Sequence, residues 1–166
     1  GSRPYGACPS KRRLIKWQAM PLISITRLRL RSFRYFLPFA WQSHRISRQA
    51  ERTTGFIGGK VYGDPLRLTF WTATVWESEN AMRGFRGSGA HQVALSKLGN
   101  WCDEASVAHW NQPGSVAPDP EITLRRMQAE GRQLRVRFPS PDHAAGRIAS
   151  DNRAPAGGSR LNPLRS

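Results

Sequence analysis

Few side chains of this 166-residue chain have the chemistry of a site, and several cluster in one run, WTATVWESENAMRGFRGSGAHQ, at residues 71–92. Its histidine, His91, carries an imidazole suited to proton abstraction near neutral pH. In that role it is a general base, or a hydrogen-bond donor, in a pocket between a sheet and the second helix. No Asp or Glu stands nearby in sequence to orient the ring. The competing reading is therefore a helix-start histidine bonded to a backbone carbonyl or set in a dimer seam. His109 shares a parity with Val107 on a later strand. It either joins His91 in a pocket or stands as one polar group on an interface strand. Trp71, Trp76, Trp101 and Trp110 offer flat walls for an aromatic or polyene molecule. Core and dimer packing is the more ordinary use of such indoles. Trp71 and Trp76 have opposite parity, so at most one faces a given pocket. Arg27 and Arg29 are suited to a ligand's carboxylate or phosphate; the more ordinary reading pairs them with Asp103 or Glu104.

Other chemistries lack their residues. There is no Gly-x-Ser-x-Gly, no P-loop and no Gly-x-Gly-x-x-Gly. Ser43 and His44 have no triad partner nearby. Cys8 and Cys102 are far apart and belong to no CxxC or His/Cys cluster, which speaks against structural zinc and against a disulfide framework. A reducing cytoplasm is then the default compartment. No apolar run approaches the ~20 residues of a membrane span, and no secretory apolar segment follows the N-terminus. The net charge of +15 suggests a nucleic-acid or anionic-surface partner. Its distribution weakens that reading: residues 1–19 carry +5, residues 20–112 carry +6 and residues 113–166 carry +4. Arginine supplies 22 of the 26 basic residues, a bias that codon usage produces as readily as phosphate binding does.

The elements that must position these side chains are legible between two basic ends. Residues 1–19 have no sustained periodicity and read as an extension; the domain reads as starting at Met20. Residues 22–31 are β-branched and partly alternating, hence a strand. Residues 38–52 form a helix with Pro38 in its first turn and Phe39, Ser43, Ile46 and Ala50 on one stripe. Residues 55–63 are a glycine-punctuated strand. Residues 67–77 are the strongest strand, with neither face charged until its ends, so both faces need a cover. Ser78 caps a helix beginning ENAMRGF, with Glu79 in its first turn. RGSG at 86–89 interrupts it, and Ser88 opens a second helical segment ending at Gly99. Residues 104–111 alternate as a last strand. The order β-α-β-β-α-β over about 90 residues is the ferredoxin-like split βαβ arrangement, with a four-stranded antiparallel sheet roofed by helices on one face. The simplest cover for the other face is a second copy of the same sheet. Beyond it, residues 113–140 read as a helix-strand appendage. Asp119 and Pro120 open that helix, Gly131 ends it, and residues 134–138 form a strand. Residues 141–166 read as a disordered basic tail.

The strand FWTATVWES running into ENAMRGFRGSGAH resembles the antibiotic-biosynthesis-monooxygenase-like families of the dimeric α+β barrel superfamily. The added WCDEASVAHW is similar to an uncharacterised bacterial branch of it. The resemblance covers roughly residues 20–112. It implies an α+β barrel built by a homodimer, and it implies a wide choice of chemistry, because one fold hosts unrelated activities. Haem-degrading members carry a Trp early in the second helix and an iron-ligating His ten residues later. Here those positions are Phe85 and Leu95, and His91 stands four residues too early, so the haem-ligand role does not transfer.

The resulting expectation is a homodimeric, monooxygenase-like protein that holds a small hydrophobic or aromatic molecule between sheet and helices. His91 is the candidate catalytic residue, and Trp71, Phe85, His109, Arg27 and Arg29 are the candidate substrate contacts. The activity implied by the resemblance is a cofactor-independent monooxygenase; the sequence demands no bound cofactor and shows no metal site. The alternatives are a non-catalytic dimeric ligand-binding or structural module, and nucleic-acid association through the basic ends.

Overall fold

The structure, a computed structural model, describes residues 20–164. The extension expected at 1–19 lies outside the described residues. The core elements follow the expected order: β1 (Leu22–Leu30), α1 (Phe36–Glu51), β2 (Phe56–Asp64), β3 (Thr69–Trp76), α2 (Glu79–Arg86), α3 (Gly89–Trp101) and β4 (Cys102–Asn111). A 3₁₀ turn at Phe33–Tyr35 leads into α1, which therefore starts two residues before Pro38. The Ser78 hydroxyl accepts from the Ala81 N–H at 3.2 Å, capping α2 as expected. Ser88 begins α3 without a side-chain cap; its hydroxyl turns back to the Gly84 carbonyl at 2.8 Å. Among the described residues no helix is long and apolar enough to cross a membrane.

After β4 come α4 (Pro120–Glu130), β5 (Arg132–Gln133), α5 (Pro141–Ala144) and β6 (Ser159–Leu161). The sheet order is β5-β4-β1-β3-β2-β6, antiparallel throughout. Its inner four strands have the ferredoxin-like order. Six strands stand where four were expected, because the C-terminal segment adds one short strand to each edge. The strand expected at 134–138 does not form. Only Arg132 and Gln133 pair with β4, opposite Val107 and Ser106. Beyond them the Leu134 N–H still bonds the Ala105 carbonyl, then the Arg137 N–H turns to the Gly99 carbonyl of α3, and the Ser140 N–H returns to the Asp103 carbonyl of β4, so no continuous ladder forms. The reading of 141–166 as a disordered tail also gives way: α5 and β6 lie within it, and β6 pairs with Gly59–Val61 of β2.

The two faces of the sheet are packed differently. One face buries Ile23, Ile25, Ala73 and Val75 completely, with Tyr62, Trp71, Ala108 and Trp110 around them. Leu124 and Met127 of α4 and Ala149 of the C-terminal segment lie against it. The chain's own C-terminal segment lies on the face where a second copy was expected. A buried ionic network fastens that segment down. Arg27 meets Glu104 at 2.6 Å and Asp151 at 3.5 Å, and the Ser140 hydroxyl donates to Glu104 at 2.9 Å. Arg29 reaches Asp103 and Glu104, each at 2.9 Å.

The opposite face carries α1, α2 and α3. Its apolar residues gather at the two ends. Leu22, Phe56, Trp76, Met82 and Phe85 form one cluster. Leu30, Phe39, Leu68 and Cys102 form the other. Between them the strands present small hydroxyl side chains, which cannot fill the space to the helices at ordinary interior density.

Candidate functional site

That space is a cavity of about 760 Å³ between sheet and helices. Register builds its floor. Ser24 of β1 stands opposite Thr74 of β3 on one side and His109 of β4 on the other; Thr26 stands between Thr72 and Val107. Strand alternation puts all of these on one face. Thr74 is internally satisfied: its hydroxyl donates to the Ser24 carbonyl at 3.2 Å and accepts from the Trp76 indole N–H at 3.0 Å. Among the described residues the hydroxyls of Ser24, Thr26 and Thr72 have no protein partner and remain free for a bound molecule. The stripe of α1 read from the sequence, Phe39, Ser43, Ile46 and Ala50, forms part of the roof, with Phe85, Ala94 and Leu98 beside it.

His91 lies in the first turn of α3 and lines the cavity. Gln49 of α1 holds it there. The Gln49 Oε1 accepts from the His91 backbone N–H at 3.0 Å, and its Nε2 donates to the carbonyls of Phe85 (3.0 Å) and Ser88 (2.9 Å). One side chain thus ties the α2–α3 break to α1. The imidazole packs edge-on to Phe85, with ring centroids 4.8 Å apart. Its Nδ1 is buried and has no hydrogen-bond partner. Burial pushes the His91 pKa below the ordinary histidine value; hydrogen bonding to the Arg86 backbone works against that shift, and the Arg86 charge adds to it. His109 is pushed down too, by burial first and then by Arg132 and Arg86. Both rings are therefore neutral near pH 7, the state in which an imidazole nitrogen can accept a proton.

The structure brings together His91, His109 and Phe85 of the sequence candidates and leaves three others apart. Trp71 sits at the cavity's edge by its strand position, but its ring packs on the opposite face with Ile25 and Val75. The Arg27 guanidinium lies 5.7 Å from that ring. Arg27 and Arg29 are on the same opposite face, engaged with Glu104 and Asp103 as the more ordinary reading had it. A guanidinium spent on a buried carboxylate is not available to a ligand in the cavity. The tryptophans whose rings serve the cavity wall are Trp101 and Trp76, the latter in contact with Phe56 and Phe85 at centroid distances of 5.1 and 4.9 Å. Sequence reasoning also passed over Arg86 and Arg132, the charged side chains of the wall. For Arg132 a signal existed in principle, since its partner Val107 shares a face with His109, but it needed the β5 register.

Among the described residues no Asp or Glu lines the cavity. Among the described residues no group of three His, Cys, Asp or Glu side chains is close enough to hold a metal ion. The position at which the resemblance would place a haem ligand is Leu95, which lines the wall and has no donor atom, so these residues do not fit a haem iron there.

No family model and no curated protein matches the sequence. Solved structures do match the fold. One is a candidate antibiotic biosynthesis monooxygenase from Nitrosomonas europaea, 10% identical, with 59% of this chain and 98% of that chain covered at a TM-score of 0.52. Another is a conserved protein from Methanosarcina mazei Go1, 11% identical, covering 57% of this chain and 95% of that one at 0.51. A third, a candidate antibiotic biosynthesis monooxygenase from Caulobacter crescentus, is 8% identical and covers 58% and 93% at 0.51. At these identities the likeness is one of fold. Nearly all of each neighbour is used in the match, so the remainder of this chain has little counterpart in them.

Proposed function

We propose that this chain, which has the fold of antibiotic-biosynthesis-monooxygenase-like proteins, binds a small hydrophobic or aromatic molecule between its sheet and helices and acts on it in the manner of a monooxygenase. The single observation that carries this is the cavity, which combines apolar ends, a hydroxyl floor and two neutral histidines. Binding sites for small molecules have this make-up, a largely apolar concavity with a few convergent polar groups. The volume of about 760 Å³ suits a molecule of several fused rings. The chemistry on offer is proton abstraction. His91, neutral and in the cavity wall, takes a proton from an acidic O–H or C–H of the bound molecule, and Gln49 keeps the segment that bears it in place.

The test starts from the full chain as purified, with mass spectrometry of whatever occupies it, followed by turnover assays on the bound compound class. Replacing His91 with Ala should lower turnover by at least about tenfold while the ligand still binds, the low end of what a general base contributes. An unchanged rate removes His91 from the mechanism. Tight binding with no product formed from any bound compound leaves a non-catalytic binding module as the function.

A further inference from the structure

We propose that the cavity selects an anionic ligand: a hydrophobic ring system bearing one negatively charged oxygen group, held at the side of the cavity where Arg86 and Arg132 stand beside His109. This rests on the reading of the cavity as a ligand site and adds the class of ligand it takes.

Charge carries the inference. Among the described residues the only formally charged side chains in the cavity wall are Arg86 and Arg132, and no carboxylate lines it. Arg27, Arg29, Arg67 and Arg83 meet carboxylates at 2.6–2.9 Å, whereas Arg45, Arg52 and Arg125 meet none among the described residues, so it is the place of Arg86 and Arg132 in the cavity wall, and not their lack of a partner, that sets them apart. Among the described residues Arg86 and Arg132 form no salt bridge and no side-chain hydrogen bond. Register puts Arg132 on the cavity face, opposite Val107 and diagonal to His109, a spacing that a long side chain spans. Arg86 ends α2 on the same wall. The charges of both arginines act on His109, and that of Arg86 also acts on His91, so the cationic groups share one region. The one carboxylate acting on His109 is Glu79, which lies outside the wall and is bound to Arg83 at 2.6 Å.

Arg86 and Arg132 are exposed at the rim of an apolar cavity, where two positive charges without a carboxylate in the wall attract an anion to its mouth. A carboxylate or phenolate there gains charge-assisted hydrogen bonds, and neutral imidazoles and free hydroxyls can donate to it as well. The rest of the molecule lies against the apolar ends.

Calorimetric titration of the full chain with 9-anthracenecarboxylate and with the neutral 9-anthracenecarboxamide, at physiological salt, tests this. The carboxylate should bind about tenfold tighter or more, the range for charge-assisted contacts. The double variant Arg86→Gln, Arg132→Gln should lose that preference and keep its affinity for the carboxamide. The charge-matched variant Arg45→Gln, Arg125→Gln, altered at exposed positions outside the wall, should retain it. Equal affinity of the unaltered chain for the two probes overturns the anion assignment and leaves the ligand-site reading intact. A preference that survives the first variant, or falls equally in the second, traces it to overall charge and overturns the assignment as well. Binding of neither probe overturns the ligand-site reading itself.

Discussion

β3 serves two faces with one alternation, and the two faces end up with opposite properties. On one side Trp71, Ala73 and Val75 are buried against α4 and the C-terminal segment. On the other, Phe70, Thr72 and Thr74 are half-buried beneath the helices and border the cavity. Both faces have a cover, so cover alone does not decide which becomes a core. Side-chain volume does. The closed face fills one end with large apolar groups and the other with the buried Arg27–Glu104 network, whereas the helical face places apolar groups at its ends and hydroxyls between. A protein interior tolerates little empty volume, so a row of small polar residues between two apolar clusters marks the place where a second molecule belongs.

The strongest way to break this comparison is to remove the closed face's cover. By light scattering the full chain should run as a monomer of 18.7 kDa, because the face that would pair with a second copy is already occupied. Ending the chain at Gln112 exposes Ile23, Ile25, Ala73, Val75 and Trp110, and the truncated protein should pair or precipitate. A soluble, monomeric truncation, or a full chain of twice the mass, would contradict the self-covered face. The next largest effect concerns the network that anchors the cover. Glu104→Ala leaves Arg27 buried without its closest partner and should cost about 3–5 kcal/mol in urea unfolding, the usual loss when one member of a buried pair is removed. A loss under about 1 kcal/mol would place Glu104 among surface pairs in its energetic weight.

A smaller effect compares equal deletions on the two faces. Ile25→Ala empties a fully buried site and should cost about 2–5 kcal/mol. Ile46→Ala, on the cavity wall, enlarges a space that already exists and should cost about 1 kcal/mol. Equal costs would mean that the two faces are packed alike.

The parts legible in the sequence were those set by local periodicity and capping. The α1 stripe of Phe39, Ser43, Ile46 and Ala50 all reached the cavity, and the Ser78 cap formed as read. The choice between the faces of β3 is not legible, since both parities are free of charge: the pattern allows Trp71 in the pocket, and Trp76 occupies its wall. The small hydroxyls of Thr72 and Thr74 were the available clue, because they share a parity with Trp76 and cannot fill a core. The C-terminal segment was hidden for a different reason. Its composition is that of a disordered tail, and its order comes from contacts such as Ser140 with Glu104 and Asp151 with Arg27, whose partners lie 36 and 124 residues away. Single-sequence patterns do not reach that far. Gln49 escaped notice in the same way, because its function is to bond the backbone of a segment that starts 36 residues later.

The smallest expected effect is a pH dependence confined to the cavity face, where His91 and His109 line the wall. The unfolded chain protonates His91 near the ordinary value of 6.5, and the folded chain does so only at lower pH, because burial disfavours the imidazolium. Between those two pH values the unfolded state holds more protons, so stability rises with pH there and falls as the solution is acidified. Above 6.5 neither state is protonated and the contribution vanishes. Urea midpoints measured from pH 8 down to pH 5 should therefore be level at first and then decline below about 6.5. His91→Phe should lessen the decline, leaving the share due to His109, which is shifted in the same direction. A profile identical in the two proteins would mean that the His91 ring meets solvent in the folded state, and the imidazole would then lose its standing as the base of an enclosed site.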